Sequence, residues 1–108
     1  MGYFPTGLTF WELRLANLRR ADAIGYPIAD WSPTDWACAA AGEMGEACNL
    51  IKKMRRGEDV PTLDIARELA DTVCYLDLLA ERLGIDLGEA VREKFNVVSE
   101  RYGTGVKL

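Results

Sequence analysis

Apolar side chains return every three or four residues in four stretches of the chain, and residues that start or stop helices frame each stretch. Thr9 with Glu12 makes a capping box for the first helix, which runs to about Ala23, ahead of Gly25 and Pro27. Ser32-Pro33-Thr34-Asp35 opens the second with a cap, a first-turn proline and an acid in the third position, and Gly57 closes it. Pro61-Thr62 opens the third, which continues to Leu83 and stops at Gly84; Asp86 and Glu89 cap the fourth, which stops at Gly103. There is no convincing strand. Connections are short, and neither a repeat nor a low-complexity tract divides the chain, so the pattern predicts one all-α domain over 1–108, a four-helix antiparallel bundle. The tail from Thr104 to Leu108 is expected to fray or to dock on a partner.

On a wheel of 100° per residue the second helix gathers Ala37, Ala40, Ala41, Met44, Ala47, Cys48 and Ile51 on one apolar arc. Ile65, Leu69, Thr72, Val73, Leu76, Leu79, Ala80 and Leu83 form the expected core stripe of the third. Arcs this broad on a chain this small offer more apolar surface than one bundle hides, which predicts a homodimer or homotetramer with Trp11 and Leu15 as candidate interface residues.

Against those arcs four acids are out of place. Glu43 has Trp36, Ala47, Leu50 and Met54 as wheel neighbours and should be at least partly buried, yet the residues three and four away are Ala39, Ala40, Glu46 and Ala47, none of them cationic. Glu68 edges the third stripe with Asp71 and Tyr75 on the same side, and only Asp71 has a local cation in reach, Arg67. Two readings stand: a Lys or Arg from elsewhere neutralises these acids, or the pairs Glu43/Glu46 and Glu68/Asp71 face one another and hold a hard divalent cation. Mg²⁺, with Mn²⁺ as a substitute, prefers such all-oxygen ligands. On the fourth helix Lys94 and Arg101 project from an apolar arc; they either cover core edge or face the acids as phosphate contacts. Trp36 is either core or an aromatic surface open to stacking. The run from Lys52 to Arg56, Lys53 included, suits a helix C-terminus and a solvated face.

Composition narrows the chemistry. There are 13 Lys and Arg against 17 Asp and Glu, a net charge of −4, and no histidine, which excludes imidazole-based triads and His-ligated zinc or di-iron sites. The acidic balance argues against a nucleic-acid binder. Cys38, Cys48 and Cys74 show no CxxC spacing, and ten residues of helix hold the first two about 15 Å apart, so reduced, half-buried thiols in a cytoplasmic protein are expected. No apolar run suits a membrane span, and no leader pattern opens the chain. Met1 to Thr6 fits the loose N-myristoylation pattern, read as a chance match because no polybasic cluster follows.

The segments GEMGEACNLIKK, ELADTVCYLDLLAERLGIDL and AVREKFN resemble the MazG-like nucleotide pyrophosphohydrolases of the all-α NTP pyrophosphatase superfamily. The shared pattern is ExxE followed by ExxD, here Glu43/Glu46 and Glu68/Asp71 with 21 residues between the halves, and the likeness covers about Trp31 to Tyr102. It implies Mg²⁺-dependent hydrolysis of a nucleoside triphosphate to a monophosphate and pyrophosphate. It also implies that these four acids hold metal or position water and that Lys94 contacts phosphate. Arg101, Asn96, Lys53, Trp36 and Tyr75 complete the candidate substrate contacts. Some relatives place Asn four residues beyond that Lys, where this chain has Val98. A nucleotide-sensing or helical interaction module that keeps the acid cluster without turnover is the alternative.

Overall fold

A computed structural model describes residues 7–108, which form four α-helices and no strand: α1 (Phe10–Ala23), α2 (Pro33–Arg55), α3 (Thr62–Arg82) and α4 (Leu87–Arg101), with a 3₁₀ turn at Ile28–Asp30. The myristoylation pattern lies outside the described residues. The helix bounds follow the local signals. Ser32 Oγ accepts from Asp35 N while Asp35 Oδ2 accepts from Ser32 N, a complete capping box. At α1 only half of the expected box forms, because Glu12 turns its carboxylate to the Thr9 hydroxyl instead of the Thr9 backbone. Every stop is the same motif. At the end of α3, Gly84 takes φ +70°, a conformation that a Cβ disfavours, so that Gly84 N reaches Glu81 O and Ile85 N reaches Ala80 O.

The centre of the fold is the antiparallel pair α2 and α3, with α1 packed on α3. Trp36, Ala40, Glu43 and Ala47 follow one another at helical spacing along the α2 seam, and Glu68, Thr72, Tyr75 and Leu79 do so on α3. The register is fixed by two meetings. The Trp36 and Tyr75 rings lie 6.2 Å apart, and seven residues further along α2, and seven back along α3, Glu43 meets Glu68. Trp36, Ala40, Ala47 and Thr72 are buried in this seam.

The predicted core stripe needs correction. Met44 and Ile51 on α2, and Leu69, Val73 and Leu76 on α3, are each two-fifths or more exposed, whereas the buried face of α3 includes Asp77, which is wholly sealed. Arg14 explains that burial. Its Nε donates to Asp77 Oδ1 at 2.9 Å, its Nη1 to Glu81 Oε2 at 2.6 Å and its Nη2 to the Ile85 carbonyl at 3.1 Å, so one guanidinium ties α1 to α3 and to the turn after it. A buried carboxylate with such partners is tolerated, and one without them costs several kcal/mol.

α4 is joined mainly to α1. A Cβ at Gly88 would stand 3.3 Å from Phe10 Cβ, so the absence of a side chain there lets the two helices approach. The radius of gyration is 16.2 Å, against roughly 13 Å for a compact chain of about 100 residues. The tail folds back on its own helix: Asn96 receives Leu108 N at 2.8 Å and donates to Leu108 O, and Ser99 bonds Thr104 and the Val106 carbonyl. Docking on α4 itself replaces the expected fraying. Cys38 and Cys48 are free and exposed, not half-buried, and Cys74 is free and half-buried. No helix among the described residues is long and apolar enough to cross a membrane.

Candidate functional site

The seam brings three of the four acids together. Single carboxylate oxygens of Glu43, Glu68 and Asp71 all lie within 4.8 Å of one another, the two glutamates half-buried and the aspartate exposed. Ligands on opposite sides of one Mg²⁺, each at about 2.1 Å, stand about 4.2 Å apart, so small side-chain rotations suffice for these oxygens to share an ion. Glu46 lies outside the tight trio on the exposed side of α2, near enough that its charge acts on Glu43.

Among the described residues no cation forms an ion pair with the cluster. Among the described residues the ion pairs are Arg14 with Asp77 and Glu81, Arg56 with Glu58, and Arg92 with Glu89; Arg67 makes none with Asp71. The strain falls on Glu43. Its carboxyl titrates above the ordinary glutamate range, first because it hydrogen-bonds Glu68, then through lost solvation, then through the negative charges of Glu68, Asp71 and Glu46. Protonation relieves such crowding, and a divalent cation relieves it at neutral pH. The donor set of carboxylates alone fits a hard ion such as Mg²⁺ or Mn²⁺.

Glu43 and Asp71 also border a cleft of about 400 Å³ whose remaining walls combine aromatic, aliphatic and polar side chains. Tyr26, Trp31, Trp36 and Tyr75 form a chain of rings with centroids 6.2, 4.5 and 6.2 Å apart. Two bonds hold the connecting segment as a wall. Trp36 Nε1 donates to the Ile28 carbonyl at 3.2 Å, and Arg82 Nε donates to the Trp31 carbonyl at 2.9 Å. Trp36 is therefore both core and cleft wall, being 3% exposed and yet lining the opening. From α1, Asn17, Arg20, Ala21 and Ile24 close the far side.

The other candidates stand elsewhere. Lys94 lines a separate apolar groove with Phe95, Val98 and Tyr102, and Arg101 is exposed at the end of α4. Neither borders the acid cleft of its own chain. Asn96 is engaged at both amide atoms by Leu108, and Lys53 is half-buried on α2 away from the cleft. Asn17 and Arg20 were not among the residues singled out by sequence. The available signal was polar side chains on α1 at Arg14 and Asn17, in line with Ala21 on a face that packs inward.

No protein-family model matches the chain. Alignments of 102 residues give 31% identity with the dCTP pyrophosphatase 1 of Homo sapiens and 30% with those of Rattus norvegicus and Mus musculus, covering 84% of this chain in each case. The chain spans about 60% of the length of these relatives. With Glu43 of ExxE meeting Glu68 and Asp71 of ExxD across an all-helical seam, and with these alignments, the chain is MazG-like in sequence, similar to the all-α NTP pyrophosphatases.

Proposed function

We propose that this chain is a nucleoside triphosphate pyrophosphohydrolase, a single MazG-like domain over 1–108 that uses Mg²⁺, or Mn²⁺ in its place, to release a nucleoside monophosphate and pyrophosphate. The observation that carries the reading is the trio Glu43, Glu68 and Asp71, without a cationic partner among the described residues, at the edge of an aromatic-walled cleft. The pyrophosphatase activity named for its relatives supports it, and dCTP, the substrate in their name, is the first to test.

In this mechanism Glu43, Glu68 and Asp71 hold the metal, which when bound neutralises triphosphate oxygens and polarises the attacked phosphorus. The rings of Trp31, Trp36 and Tyr75 hold the base and orient the α-phosphate towards the acids. Glu46, left outside the trio, takes the proton of the attacking water as the oxygen bonds to the α-phosphorus and pyrophosphate departs. Arg20 is the cation of the same chain that borders the cleft among the described residues.

The active unit is a homo-oligomer, and the exposed apolar rows on α2 and α3 together with the expanded radius of gyration support this. Lys94 then reaches the triphosphate from a neighbouring copy, since it does not border the cleft of its own. A bland helical oligomer would satisfy these acids with Lys or Arg of a neighbouring copy, whereas a nucleotide-sensing module would keep the acid cluster without turnover; within the chain no Lys or Arg pairs with the trio among the described residues.

The test is a panel of NTPs and dNTPs incubated with Mg²⁺, scoring pyrophosphate against orthophosphate. Pyrophosphate that requires the ion is expected. Turnover unchanged in excess EDTA, or orthophosphate as the first product, overturns the reading.

A further inference from the structure

The Asn17 side chain is 3% exposed and makes two hydrogen bonds, both through its nitrogen. Nδ2 donates to the Cys74 carbonyl at 2.8 Å and to Asp77 Oδ2 at 3.2 Å, so both amide hydrogens are used. The reversed orientation would set the amide oxygen against a carbonyl and a carboxylate with no hydrogen between them. Asp77 is itself held in place, because its other oxygen receives Arg14 Nε and Arg14 is anchored at Glu81 and Ile85. The amide therefore has one orientation.

Its oxygen is left over. No described donor reaches Asn17 Oδ1, and no sealed side-chain oxygen or nitrogen among the described residues lacks a partner, so this oxygen is open to a visitor. The space that Asn17 borders is the aromatic cleft, which it shares with Tyr26, Trp31, Trp36 and Tyr75. A base stacked on those rings presents its edge to the side walls, and the wall at Asn17 offers a pure acceptor.

We infer that Asn17 is a specificity-determining residue whose amide oxygen accepts a hydrogen bond from the exocyclic amino group of cytosine and disfavours uracil and thymine, which carry a carbonyl oxygen at that position. This deepens the proposed function and rests on the cleft being the base site. Commitment to cytosine follows from the substrate in the relatives' name, whose base carries that amino group. If the oxygen instead met the ring N3 position, the preference would reverse, because uracil carries hydrogen there and cytosine does not.

Binding and turnover are measured separately on the full chain. Quenching of tryptophan fluorescence reports binding of dCTP, dUTP and N4,N4-dimethyl-dCTP with Ca²⁺ in place of Mg²⁺; pyrophosphate release with Mg²⁺ reports turnover. The expected result is that dCTP binds about 10- to 100-fold tighter than either analogue, consistent with the loss of one hydrogen bond in a desolvated site. Asn17→Leu should reduce that ratio to near one by weakening dCTP and leaving dUTP nearly unchanged. The dimethylated base removes the same hydrogen bond without touching the protein, so the inference stays testable if the variant does not fold. Equal binding of dCTP and dUTP, or tighter binding of dUTP, overturns the inference, even where pyrophosphate is released from both. A dCTP preference that Asn17→Leu erases, without pyrophosphate release, supports the inference and overturns the proposed activity instead.

Discussion

Replacing Glu43 with glutamine removes one charge from the acid trio at nearly constant volume. Two unit charges at 4.8 Å, the outer limit of the trio's spacing, repel by about 3 kcal/mol at an effective dielectric of about 20. Exposure of Asp71 and screening by salt reduce this, so the metal-free Glu43→Gln protein should be about 1–3 kcal/mol more stable than the wild type near pH 8. The sign of the pH dependence follows from the raised titration of Glu43. Its folded carboxyl keeps a proton above the ordinary value of 4.5, so the stability gained by that proton is fully present below 4.5 and is lost as pH rises through the folded value. The gap between variant and wild type should therefore open across that window and close in acid.

Divalent ion offsets most or all of that difference. At 100 times its dissociation constant Mg²⁺ stabilises the wild type by about 2.7 kcal/mol, and glutamine, a poorer ligand, should forfeit most of that along with turnover. Denaturant unfolding at several pH values, with and without Mg²⁺, measures all of these quantities. A loss of several kcal/mol in the metal-free variant, with Mg²⁺ stabilisation intact, would refute the reasoning and identify Glu43 as the partner of a cation.

Three further outcomes are expected. Arg14→Met should destabilise the protein by about 3–5 kcal/mol by leaving Asp77 buried without its cation, and Arg14→Met with Asp77→Leu should recover much of the loss, both read by denaturant unfolding. Light scattering at micromolar concentration should give a homodimer or homotetramer, and a fully active monomer would count against the proposed assembly. Mixing inactive Glu43→Gln with inactive Lys94→Met and allowing subunits to exchange should restore part of the activity, because some mixed sites then receive an intact trio and an intact lysine; no recovery despite proven exchange would place Lys94 outside the site.

What the sequence disclosed was local. Caps and glycine stops act within a turn, so the four helices were legible to within a residue or two, and the acids were legible because their i, i+3 neighbours lacked cations. The short 3₁₀ turn at Ile28–Asp30 has no such period. Core faces were less legible. Leu69, Val73 and Leu76 look like core by periodicity, yet one copy leaves them open, while Asp77 is sealed by an arginine 63 residues earlier. Pairings of that kind between helices leave no spacing signal on either one, and Asn17 was overlooked for the same reason. The resemblance named the acids and Lys94, but the sequence did not say that one chain would place Lys94 apart from the cleft.

Asp77 has two oxygens and two clients: one oxygen receives Arg14, which ties α1 to α3, and the other receives Asn17. Drift in this lineage is consequently constrained in a particular way. A change that retunes the base edge at Asn17 also disturbs the carboxylate that anchors a helix, and a change that loosens the anchor releases the amide from its single orientation. Descendants with altered base preference should therefore carry paired replacements at 14, 17 and 77 instead of isolated ones, and a solitary replacement at Arg14 should broaden substrate choice at temperatures where the fold still holds.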